Sequence, residues 1–211
     1  MDEEPSEAQG PGRRRRKRRK APPRISAGDF ERAALRHLER YPSSSAGLRA
    51  VLERRAERSR THHGDEEDRE ATAASIEATL ARMSELGFLD DRRYGQALAQ
   101  RIRGRGGSLR KVAAALHEKG ISGALRAQLL EEVGDAEAEL EAALTYARRR
   151  RLGVHRRGNP LGAPEADTPG DCEHEDSERA ERQRLKRKKE LGALARAGFS
   201  FEVAARALDT P

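Results

Sequence analysis

One punctuation mark recurs three times and restricts what this chain can fold into. An apolar residue is followed four positions later by a glycine and then at once by another apolar residue: Met83, Gly87, Phe88; Leu116, Gly120, Ile121; Leu194, Gly198, Phe199. A glycine at that place ends a helix in the left-handed conformation, and the next apolar residue folds back onto the helix it has left. Each mark is followed by a residue that can open a new helix, Asp90, Ser122 and Ser200, whose side-chain oxygen takes a free backbone amide of the first turn. A helix-turn-helix signal repeated three times predicts an all-α chain built from similar units.

The apolar spacing agrees. Ile76, Leu80 and Met83 share one helical stripe, as do Tyr94, Leu98 and Ile102, then Val112 and Leu116, then Leu125, Leu129 and Val133. Upstream, Phe30, Ala34, Leu38 and Tyr41 form a stripe that Pro42 stops. Ser44 or Ser45 caps a helix carrying Leu48, Val51, Leu52 and Ala56, and a polar loop at His62-His63-Gly64 precedes a helix opened by Asp65 to Asp68. Further helices are predicted at 90–104, 108–119, 122–133, 135–151, 178–197 and 200–208. These group into three tandem three-helix repeats, 29–87, 90–133 and 135–208, whose faces are buried mainly against their neighbours. The expected body is elongated and curved.

Two stretches fall outside this pattern. Residues 1–27 hold eight consecutive cations, Arg13 to Lys20, and then Pro22-Pro23, and read as a disordered basic arm. Residues 153–177 are rich in Gly, Pro and acidic residues and read as a flexible insertion in the third repeat. Composition fits such a division. Leu, Ile, Val and Phe make up only about a sixth of the chain, a level associated with disorder, so the folded part must pack with Ala and Leu.

Charged residues are 37% of the chain, and a net charge of +7 points to an anionic partner, with Lys and Arg as ordinary helix covering the alternative. No apolar run reaches the roughly 18 residues of a membrane span. A single Cys excludes a disulfide framework and suits the cytoplasm. Cys172-Glu173-His174 lacks the second ligand pair of a zinc site, so no metal is expected. No nucleophile stands at motif spacing from a base, and the turn Gly104-Arg105-Gly106-Gly107 lacks the Lys-Ser/Thr of a phosphate loop. Neither an enzyme nor a cofactor is expected.

The candidate binding surface is Arg92, Arg93, Arg101, Arg103, Arg105, Arg110, Lys111 and Lys119, with Gly104, Gly106 and Gly107 allowing close approach of a partner's phosphates or acidic groups. A solvated helix face is the plain alternative. A second basic set, Arg148 to Arg151, closes a helix and is accounted for by the helix dipole; Arg182 to Lys189 reads the same way.

The run from Leu80 to Ser122 resembles the central signature of the RecX family, regulators of the RecA recombinase. The matching motifs are Gly87-Phe88-Leu89-Asp90-Asp91, Arg92-Arg93-Tyr94, Arg103-Gly104-Arg105-Gly106-Gly107 and Leu116-His117-Glu118-Lys119-Gly120-Ile121. The likeness is dense over 76–131 and looser over Phe30–Ser59 and Lys188–Leu208. The basic arm, the insertion and Ser43-Ser44-Ser45 depart from the family's pattern. The resemblance implies a monomeric protein of three three-helix units. It would lie in the groove of a RecA–DNA filament and suppress ATPase and strand exchange. The basic surface and arm are expected to touch single- or double-stranded DNA nonspecifically. A helix-turn-helix DNA-binding protein that acts without RecA is the alternative, with Arg92 and Arg93 at the start of its reading helix.

Overall fold

The computed structural model describes residue 25 and residues 27–63, 69–156 and 173–210, with the side chains of 27 and 173–178 left aside. Among these residues the chain is all-α, without strands. Its helices are α1 (Ala27–Leu38), α2 (Ser45–His63), α3 (Arg69–Glu85), α4 (Asp91–Arg103), α5 (Leu109–Glu118), α6 (Gly123–Glu132), α7 (Ala136–Arg150), α8 (Glu173–Ala197) and α9 (Phe201–Asp209), with a 3-10 turn at Gly153–His155. Side-chain caps open many of them. Asp90 accepts from Arg93 N at 2.9 Å, Ser122 from Leu125 N at 3.4 Å and Ser200 from Val203 N at 3.3 Å, each quenching an amide that the helix leaves unpaired.

Apolar side chains collect into three separate cores. The first joins Phe30, Ala34, Leu48, Leu52, Ile76, Leu80 and Met83 from α1, α2 and α3. The second joins Leu98, Ala99, Val112, Leu116, Ile121 and Leu129 from α4, α5 and α6. The third joins Ala142, Ala143, Leu194, Phe199, Ala204, Ala207 and Leu208 from α7, α8 and α9. Small residues let thin cores close. A Cβ on Gly95 of α4 would lie 2.5 Å from Leu129 Cδ1 of α6.

Two joints connect the clusters, and they are built alike. At the first, Ser44 Oγ donates 2.5 Å to the carbonyl of Lys119 while accepting from Gly47 N at 3.1 Å. The next amide, Ser45 N, donates 2.7 Å to Asp91 Oδ1, and Gly120 has no room for a Cβ because Ala46 occupies the space. At the second, Ser108 Oγ donates 2.6 Å to the carbonyl of Ala197 and accepts from Lys111 N at 3.3 Å. Leu109 N donates to the Glu139 carboxylate at 3.2 Å, and a Cβ on Gly198 would meet Ser108 Oγ at 2.5 Å and Arg110 Cβ at 3.1 Å. Each joint thus sets the capped start of one cluster's second helix against the glycine turn of the next.

Several boundaries differ from the sequence reading. α1 ends at Leu38. Tyr41 leaves the stripe, 61% exposed, its ring 5.6 Å from His37, because the chain is already turning toward Pro42. α2 runs on through His62-His63, where a loop was expected, since neither Gly nor Pro intervenes before Gly64. The turn after α3 has the expected hydrogen bonds, Phe88 N to the Met83 carbonyl at 3.0 Å and Gly87 N to that of Ser84 at 2.9 Å. The residue that returns to the core is Leu89, however, and Phe88 is exposed. At Gly120 and Gly198 it is the adjacent Ile121 and Phe199 that are buried.

The basic arm lies outside the described residues, apart from Ile25 and Ala27, and so do 157–172 of the expected insertion. Both ends of that insertion are structured. Arg156 makes a forked ion pair with Glu190 at 2.6 and 2.5 Å, and Gly153, at φ 57°, packs on the backbone of Leu208. α8 starts at Glu173 rather than 178, because no Gly or Pro interrupts the sequence between Asp171 and Glu190.

Candidate nucleic-acid interface

The eight candidate cations do not form one patch. Arg92 forks between Gln128 and Glu132 of α6, forming an ion pair with the latter. Arg103 turns inward. Its guanidinium pairs with Glu139 of α7 and donates 3.1 Å to the Gly107 carbonyl, with the two side chains only 10% and 14% exposed. Arg103 therefore belongs to the second joint. Lys119 sits at the first joint, its backbone carbonyl held by Ser44 and its ammonium 3.2 Å from Glu118. Arg93 and Arg101 are exposed on α4, and Arg105, Arg110 and Lys111 are exposed at the turn and start of α5.

The glycine turn has a different purpose from the one its sequence suggests. Gly106 is buried at φ 76°, and a Cβ there would meet Tyr146 N at 2.7 Å and the Ala142 carbonyl at 2.9 Å. Close approach is made to the chain's own α7, and Gly107 is packed in the same way on Ile102. The turn is a socket for α7.

That docking creates a groove. Its walls are the start of α5 (Arg110, Lys111, Ala114), the end of α7 (Tyr146, Arg150) and the end of α8 (Ala193, Arg196, Ala197), with Gly106 and Gly107 between them, and it encloses about 570 Å³. A second depression of about 410 Å³ continues past Gly106, Gly107 and Lys111 to Arg105, Arg149 and Arg150. A third, of about 340 Å³, shares Arg196 and runs along α8 past Gly192 to Leu185, Lys188 and Lys189. Among the described residues no carboxylate lines any of the three. The Arg150 guanidinium lies 5.7 Å from the centre of the Tyr146 ring, and Tyr146 in turn meets Phe199 edge-on at 6.0 Å. Both contacts hold the Tyr146 ring in place within the lining of the groove.

Sequence reasoning counted Arg110 and Lys111 among the candidate binding residues, left Arg150 to the helix dipole, and did not single out Arg196. Only the docking of α7 and α8 against α5 brings the four together. Carboxyl groups elsewhere are engaged by arginines. Glu77 is held below its ordinary range by hydrogen bonds from Arg49, and Asp209 likewise by Arg187, against a smaller opposing effect of burial. Of the metal-type residues weighed in the sequence, Cys172 lies outside the described residues, and His62 and His63 lie in α2 with ring centres 4.9 Å apart.

Comparison with known proteins places the chain. No family model matches it. A protein named regulatory protein RecX from Myxococcus xanthus (strain DK1622) is 34% identical over 201 residues, covering 95% of each chain. The crystal structure of RecX from Lactobacillus salivarius shares the fold, with a TM-score of 0.56 at 14% identity over 86% of this chain and 94% of that one. With identity of that extent running through all three helical clusters, the chain belongs to the RecX family of regulatory proteins.

Proposed function

We propose that this protein binds the RecA–DNA filament and restrains its ATPase and strand exchange, acting as a cytoplasmic monomer in which each three-helix cluster serves as one repeat unit. The observation that carries the reading is 34% identity along 95% of the chain with a regulatory protein RecX. The mechanism asks no chemistry of the chain. A row of clusters linked by two similar joints offers a long face, and long faces suit extended partners better than a pocket does. Contacts spread over several recombinase protomers would hold those protomers in one arrangement and oppose the subunit motions that accompany ATP turnover.

The cations available for such contacts are those without an intramolecular ion pair. Arg93 and Arg101, exposed along α4, are the residues we assign to the recombinase, while Arg92 and Arg103 are engaged with Glu132 and Glu139. The ion pair at Arg92 also removes one of the two arginines that a base-reading helix would need.

The test is the DNA-dependent ATPase rate of the cognate recombinase on preformed filaments as this protein is added. A falling rate at substoichiometric ratios is expected, and Arg93→Glu with Arg101→Glu should remove most of the effect at unchanged helical content. A flat rate up to equimolar protein would overturn the reading.

A further inference from the structure

The three depressions on the second joint form one path, because neighbouring depressions share residues. The first and third share Arg196, and the first and second share Lys111, Tyr146 and Arg150. Along it, Arg110, Lys111, Arg150 and Arg196 are exposed and make no ion pair among the described residues. Cations without carboxylates nearby repel one another, and such an arrangement is stabilised when an anion enters. The rest of the lining is small, with Ala114, Ala193 and Ala197 beside the cations and Gly106 and Gly107 between the walls. It carries no Asn, Gln, Asp or Glu that could read a base edge or pair with a peptide backbone.

We infer that this groove is a sequence-neutral track for the phosphodiester backbone of single-stranded nucleic acid, with Arg110, Lys111, Arg150 and Arg196 as its phosphate contacts. Shape selects the strand. A duplex presents a wide, stiff, convex surface, whereas a flexible single strand can follow cations that sit on three different helices. Chemistry selects phosphate over an acidic peptide. A phosphodiester backbone has no amide donors to satisfy, so cations in series are enough to hold it, and the alanine and glycine lining takes sugar carbons without asking for hydrogen bonds. The walls come from two clusters, α5 from the second and α7 with α8 from the third, so an occupied track also ties those clusters together.

The track deepens the reading as a filament regulator and rests on it for its setting, but binding is measured without recombinase, so either can fail alone. The probe is a labelled oligothymidylate titrated by fluorescence anisotropy into the full chain at several salt concentrations. One variant carries Arg110→Gln, Lys111→Gln, Arg150→Gln and Arg196→Gln. A control variant loses the same charge through Arg36→Gln, Arg40→Gln, Arg54→Gln and Arg58→Gln, four exposed cations of the first cluster.

Each phosphate contact on a single strand contributes about −0.7 to the slope of log affinity against log salt. The groove variant should therefore be shallower by about 3 with unchanged helical content, and the control nearly unchanged. Equal changes in the two variants would show general charge rather than a track and would overturn the inference. So would an equal loss of duplex binding, or displacement of the strand by oligoglutamate at matched charge. A second readout guards against misfolding: saturating oligothymidylate should raise the thermal midpoint of the wild type and not that of the groove variant.

Discussion

Ser108 Oγ donates 2.6 Å to the carbonyl of Ala197, a contact across most of the second half of the chain, and at the same time caps its own helix through Lys111 N. One hydroxyl thereby satisfies an orphan amide at the start of α5 and an orphan carbonyl at the end of α8. Ser44 does the same for α2 and α5. These serines tie neighbouring clusters together, and they lead to the first prediction.

Ser108→Ala leaves a buried carbonyl without its partner and a helix without its cap. The expected loss is about 2–4 kcal/mol, combining roughly 1 kcal/mol for the cap with roughly 1–3 kcal/mol for the unsatisfied group. Ser44→Ala should cost a similar amount. Chemical denaturation of the single variants and the double variant measures both losses; Ser108→Ala within a few tenths of wild type would show that the joint is not held this way.

Glycine substitutions separate two kinds of turn. Gly87 has φ 73° with nothing near a would-be Cβ, so Gly87→Ala should cost only the left-handed penalty, roughly 1–2 kcal/mol. Gly106 has φ 76° and a Cβ there would meet the backbone of α7, adding about 1–3 kcal/mol of overpacking. Thermal midpoints of the two alanine variants should therefore differ clearly, with Gly106→Ala the lower. Equal midpoints would contradict the socket geometry.

Arg103→Leu should be among the most damaging changes to a charged residue. It strands the buried Glu139 carboxylate, leaving it only the Leu109 amide. Losing one member of a buried pair costs about 3–5 kcal/mol. Arg92→Leu, whose pair with Glu132 is half in solvent, should cost under about 1 kcal/mol. The comparison is a denaturant midpoint for each variant, and a larger loss for Arg92→Leu would reverse the assignment.

The Arg187–Asp209 pair gives a prediction about acid. Two hydrogen bonds, at 2.6 and 2.8 Å, hold the Asp209 carboxyl below its ordinary value of 3.8. A carboxyl depressed in the folded state contributes its full stability above the unfolded value and loses it as pH falls through the lower, folded one. Both side chains are about half exposed, so the contribution is under about 1 kcal/mol. Asp209→Asn should reduce stability slightly at neutral pH and converge with wild type in strong acid, as read from denaturation midpoints across the acid range.

What the sequence disclosed is what is written locally. The glycine stops at 87, 120 and 198 and the caps at Asp90, Ser122 and Ser200 depend on residues within a few positions, and all of them stand in the structure. The fates of the arginines were not legible. Arg92 finds Glu132 and Arg103 finds Glu139 only after separate helices have docked, and nothing near either arginine marks it as engaged. The same holds for Arg150, which read as a helix-end charge and becomes a groove wall beside Arg196, a residue the sequence left unmarked. Ser44 was legible as a helix cap, and it does accept from Gly47 N, but its second bond was not legible, since that depends on the carbonyl of Lys119 far downstream.

The middle cluster carries both halves of the linkage, the serine start at Ser108 and the glycine turn at Gly120, whereas the first contributes its serine start and the third its turn. A segment with both a head and a tail can be spliced in again between its neighbours, and the new junction would pair a serine start like Ser108 with a glycine turn like Gly120, the pattern both existing joints follow. Array length is then a quantity that gene duplication can change one unit at a time, without redesigning either end.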